Sequence, residues 1–143
     1  MSKIKSFRGL IAHDAIETIA LHTSTGYNIV KFELMPQTPM TVESENVVKI
    51  FSIPQEATSG TIDFSDNTLL ASGFLEGQQA GAYNTQSIVV FDNATFNQDI
   101  FITNNSEQGV AVNYYIELEP VKLALDENTV ATLKDIRNII RDE

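Results

Sequence analysis

The chain contains no cysteine, so disulfides and thiolate metal sites are excluded. It also contains no tryptophan, the usual floor of a sugar-stacking site. No run approaches the ~18 apolar residues that span a bilayer. Between Lys49 and Lys122 there is no basic residue, although that interval carries Glu56, Asp63, Asp66, Glu76, Asp92, Asp99, Glu107, Glu117 and Glu119. Nine basic residues against nineteen acidic ones give a net charge of -10. Nucleic acid is therefore not the expected partner, because neutralising phosphates takes clustered Lys and Arg. Membrane is not expected either. The start has a basic region like that of a signal peptide, but His13, Asp14 and Glu17 interrupt the apolar stretch behind it, so that reading is rejected.

What remains suits one domain. The chain has 143 residues, of which 43% are hydrophobic and 20% charged, enough apolar content to bury a core. Lys3, Lys5 and Arg8 put three of the nine basic residues near the start. Residues 1–10 then read either as an ordinary solvated end or as a basic arm that docks on an acidic neighbour.

Strand patterns dominate. Residues 15–22 are rich enough in Ile, Leu and Thr for a strand, with a short helix as the alternative. In 27–35, Val30, Phe32 and Leu34 alternate with Lys31 and Glu33, and Pro36 ends the run. Residues 47–53, 61–64, 86–92 and 98–104 are further strands. In 110–118, Val110, Val112, Tyr114, Ile116 and Leu118 share one face, and Pro120 ends the run unless 121–125 continue it as an edge strand. The turn at 104–109 should join 98–104 and 110–118 as a hairpin. Residues 65–86, with Gly73, Gly77 and Gly81, read as a long loop with a helical turn near Leu69 and Leu70.

The period changes at the end. Val130, Leu133, Ile136 and Ile140 have helical spacing, Asp126 suits an N-cap, and Lys134, Arg137 and Arg141 lie toward the C-terminal end. A helix over 126–141 is expected. Its stripe would pack on its own sheet or on a partner. The whole pattern predicts an all-β antiparallel β-sandwich, jelly-roll-like, with one C-terminal α-helix.

Chemistry is sparse. His13 and His22 stand nine apart without a third ligand and read as structural or surface residues. There is no nucleophile elbow, phosphate loop or dinucleotide fingerprint. Glu43, Glu45, Glu117 and Glu119 read as solvated. Asp92, Asn93, Asn97 and Asp99 form an oxygen-rich loop, which turn chemistry explains as well as a hard cation does. The sequons at Asn93 and Asn104 read as chance. Phe32, Phe51, Phe64, Phe91, Phe101 and Tyr114 read as core or sheet face, whereas Phe74 and Tyr83 are loop aromatics that could anchor an interface. No enzyme activity, metal or cofactor is expected.

Three stretches carry a resemblance: Ser2-Lys-Ile-Lys-Ser-Phe-Arg-Gly-Leu-Ile11, Phe96-Asn-Gln-Asp-Ile-Phe-Ile-Thr103, and Val112-Asn-Tyr-Tyr-Ile-Glu-Leu-Glu-Pro-Val-Lys-Leu123. With the closing pattern at 131–137, they resemble small virion structural proteins of tailed phages that infect marine bacteria, including cyanobacteria. These strings are structural rather than catalytic. The resemblance implies a capsid decoration, or cement, protein that bridges major capsid subunits, commonly as a trimer. It places the chain in the virion, with the major capsid protein or other virion proteins as partners. Lys3, Lys5, Arg8, Phe74, Tyr83, Ile136 and Ile140 are the expected partner contacts. A tail or fibre-adaptor component and a glycan-binding sandwich using the 65–86 loop are the alternatives. On this reading, deleting residues 2–8 should weaken assembly more than folding.

Overall fold

The computed structural model describes residues 3–21, 25–39, 44–77, 85–91 and 94–121. Eight strands follow in order: β1 (Lys5–Ile11), β2 (Ala15–Ile19), β3 (Gly26–Pro36), β4 (Ser44–Phe51), β5 (Leu69–Gly77), β6 (Thr85–Val90), β7 (Ile100–Ser106) and β8 (Val112–Val121). They form two antiparallel sheets. One has the order β1-β8-β3 and the other β2-β7-β4-β5-β6. The described residues contain no helix. The helix expected over 126–141 lies outside them.

The core sits between the sheets. The three-stranded sheet contributes Ile11, Tyr27, Ile29, Phe32, Leu34 and the β8 set Val112, Tyr114, Ile116 and Leu118. Val48, Ile50, Leu75, Ile100 and Ile102 meet them from the five-stranded sheet. Period-two alternation drives this, because one face of each sheet must leave water. The β8 alternation is as expected.

In β3 the expected set breaks. Val30 is 46% exposed, while Ile29 is buried. The pairing with β8 shifts between Ile29 and Lys31. One extra residue at this bulge turns Val30 outward and brings Tyr27 and Ile29 into phase with Phe32 and Leu34.

The expected loop over 65–86 is corrected as well. Residues 69–77 are β5, a strand between β4 and β6. Leu70, Ala71 and Leu75 are buried. Gly73 serves packing rather than loop freedom. A Cβ there would stand 2.7 Å from Leu34 Cδ1 and 3.2 Å from Phe32 Cε2. The glycine lets β3 approach closely. Residues 61–64 are not a strand. They belong to the connection between β4 and β5, whose neck is closed by Ser52 N–H donating to the Thr68 carbonyl at 2.9 Å.

The expected 98–104/110–118 hairpin does not form. β7 pairs with β2 and β4, whereas β8 pairs with β1 and β3. The chain changes sheets at residues 107–111, where Gly109 has φ 72°. Both strands alternate, so periodicity alone could not tell a hairpin from a crossing between layers. Buried Asn104 holds this end. Its amide donates to the Ile11 carbonyl at 3.1 Å, and its Oδ1 accepts from Asn46 at 3.0 Å.

The basic arm is corrected too. Residues 5–11 are β1, registered against β8 from Lys5↔Leu118 to Ile11↔Val112. Gly9 sits under the Tyr114 ring, where a Cβ would stand 2.9 Å from the hydroxyl. That hydroxyl donates to Glu17 Oε1 at 3.0 Å and so ties β8 to β2 across the layers. Pro120 does not end β8, which runs on to Val121. Pairing with β1 stops at Leu118, so the proline falls where that side has lost its partner.

Candidate partner-binding surface

The outer face of the five-stranded sheet is built in rows. Thr103, Lys49, Ser72 and Val89 lie side by side on β7, β4, β5 and β6. Asn105, Val47, Phe74 and Ser87 form the next row. The β4–β5 connection crosses the first row, where Lys49 Nζ donates to the Thr61 carbonyl at 2.7 Å. Lys49 is 7% exposed, and burial pushes its ammonium down, partly offset by Asp66. Its Nζ lies 5.6 Å from the Phe51 ring centroid.

Crossing that row, the connection presents apolar side chains to solvent. Phe64 is 55% exposed and meets Phe91 edge-on, with ring centroids 5.3 Å apart at 90°. Ile62 is 37% exposed and Val89 39%. Phe91 continues the β6 ladder, with its N–H donating to the Leu70 carbonyl at 3.0 Å. The Phe64–Phe91 pair thus stands at the end of β6, where Phe91 follows Val89 on the same strand face.

The outer face of the three-stranded sheet mixes charged groups with exposed apolar side chains, Leu10 at 46% and Met35 at 64% on either side of Asn113. A shallow depression of about 460 Å³ is lined by Arg8, Leu10, Glu33, Met35, Asn113 and Tyr115, among others. Lys31 and Glu33 pair at 3.2 Å, which raises the Lys31 ammonium. Tyr115 donates to Glu117 Oε2 at 2.6 Å, and its phenol is raised mainly by that bond. The charged groups of this face pair with one another, while Leu10, Val30 and Met35 stay exposed beside them.

The expected contacts do not converge. Lys5 and Arg8 fall on opposite faces of β1. Lys5 Nζ lies 5.7 Å from the Tyr27 ring, whereas Arg8 stands beside Tyr115 on the outer face. Lys3 precedes the strand and is exposed. Phe74 belongs to β5, on the outer face of the other sheet, rather than to a loop. Tyr83, Ile136 and Ile140 lie outside the described residues.

Sequence reasoning missed Phe64 as an exposed residue and placed it in a strand. For Val89 and Phe91 the available signal was charge. Residues 77–91 contain no charged side chain and no proline. His13 is structural here, its Nδ1 accepting from the Ser106 N–H at 3.0 Å. Asp99 Oδ1 accepts from the Leu21 N–H at 2.9 Å, while Asp92 and Asn93 of the same oxygen-rich loop lie outside the described residues. Among the described residues no cluster of His, Asp or Glu could hold a metal, and no helix is long and apolar enough to cross a membrane. Comparisons with family models, with curated proteins and with solved structures found no match.

Proposed function

We propose that the chain is a non-enzymatic virion structural protein of the capsid decoration type, which binds the major capsid protein and stabilises the shell. The observation that carries this reading is exposed Phe64, packed edge-on against half-buried Phe91 beside exposed Val89 at the end of β6. Aromatic anchors on an otherwise acidic surface are what a protein partner engages. The strand connectivity supports it. The antiparallel pairs β1·β8, β2·β7 and β4·β5 are nested in the chain, and β3 packs near β6. This nesting supports reading the sandwich as jelly-roll-like, an architecture that recurs in viral capsid domains. β6 departs from it by hydrogen-bonding to β5 instead of β3. The stretches that resemble phage virion proteins fall mainly on β1, β7 and β8, so that resemblance follows the scaffold. Major capsid protein, and other copies of this chain, are the partners on this reading, and the virion is its place.

The test is co-sedimentation of the full chain with purified shells of the phage that carries it. Wild type should pellet with shells and saturate. Phe64→Ser should bind at least ~10-fold more weakly, since a central aromatic contact contributes 2 kcal/mol or more. Phe64 is exposed, so the variant should fold. Equal binding by the two proteins would overturn the reading.

A further inference from the structure

The four sheet edges are not protected alike. β1 carries Lys5 and Arg8, β2 is short and carries Glu17, and β3 carries Lys31, Glu33, Pro36 and the bulge at Val30. These are the ordinary devices that keep an edge from pairing. β6, Thr85-Gln-Ser-Ile-Val-Val90, has no charge, no proline, no glycine and an unshifted register with β5. No described strand lies beyond it. Its backbone groups with no partner among the described residues can be assigned. Phe91 donates to Leu70, so residues 87, 89 and 91 point their backbone groups at β5. Gln86, Ile88 and Val90 therefore point theirs away from the sheet.

We infer that β6 is the edge through which two copies of this chain pair, antiparallel about a two-fold axis through Ile88. That register uses all of these outward-pointing groups, joining Gln86 to Val90 of the second copy, Ile88 to Ile88, and Val90 to Gln86. On the outer face it sets Val89 against Ser87, a neutral pair. The occupant is a second copy because of charge. Each chain carries -10, so copies repel unless they meet where no charge is buried. The uncharged residues 85–91 supply that seam. The pairing also carries the Phe64–Phe91 patch of each copy toward the seam, making one apolar strip across two subunits. Such a contact is isologous and closed, so it ends at a dimer instead of growing into a fibre.

The inference rests on reading this edge as an assembly surface but does not depend on the virion. Its test is the mass of the full chain in solution over a roughly hundredfold range of concentration, because pairing follows mass action. The predicted mass at high concentration is about 32 kDa, twice 15.8 kDa. The amides of Gln86, Ile88 and Val90 should then exchange slowly and lose that protection on dilution. Val89→Lys and, separately, Ser87→Lys put a cation on each side of the seam and should leave a folded monomer with fast exchange at those amides. A mass of one chain throughout, a mass of three chains, or a dimer untouched by both variants would overturn the pairing. A monomer that still bound shells would overturn it while leaving the decoration reading standing.

Discussion

At Tyr114 a single hydroxyl joins the two layers. Burial, with the neighbouring Glu17 charge and its hydrogen bond, pushes the phenol up to about 12. In the unfolded chain it titrates near ~10. The folded protein therefore holds this proton more tightly, and the contribution is complete below pH ~10 and lost as pH rises through about 12. Tyr114→Phe should cost ~1 kcal/mol at pH 7, the net value of one hydrogen bond. The gap between the two proteins in urea denaturation should close between pH ~10 and ~12. A gap that stays constant with pH would contradict this assignment. Gly73 makes a second prediction. Gly73→Val adds atoms where a Cβ already stands 2.7 Å from Leu34, so it should lower stability by ~1–3 kcal/mol through overpacking. The midpoint should move with no change in the denaturant slope.

The β3 bulge decides which β3 side chains the core receives. Val30→Asp should be tolerated within ~0.5 kcal/mol, because Val30 faces water. Ile29→Asp should unfold the protein, because Ile29 is 2% exposed. Thermal melts by circular dichroism check both. Strict alternation from Phe32 would predict the reverse, and that contrast marks what was legible in the residues. Period-two patterns showed most strands, and β8 was read face by face. A bulge leaves no local signature beyond one apolar residue out of phase. β5 was hidden because Gly73 reads as a loop residue until the β3 side chains packed over it are known. The layer change between β7 and β8 depends on contacts distant in sequence, such as Asn104 to Ile11, which no local pattern encodes. The exposed patch was partly legible, as a charge-free stretch, but Phe64 required the path of the β4–β5 connection.

For the whole molecule, the N-terminal residues belong to the fold. β1 supplies Ile11 to the core, packs Phe7 against it and covers one side of β8. Deleting residues 2–8 should therefore abolish cooperative thermal unfolding, not merely weaken assembly, because it strips β8 of a partner strand and exposes apolar core. A truncated chain with an unchanged melt would return these residues to the role of an arm. On the proposed reading, by contrast, binding falls at the far end of the other sheet, around Phe64 and Phe91. The most direct measurement of this account is the copy number of the chain in purified virions, by quantitative mass spectrometry against the major capsid protein. Decoration predicts copies comparable to the capsid subunits. A handful of copies per particle, or none, would contradict it.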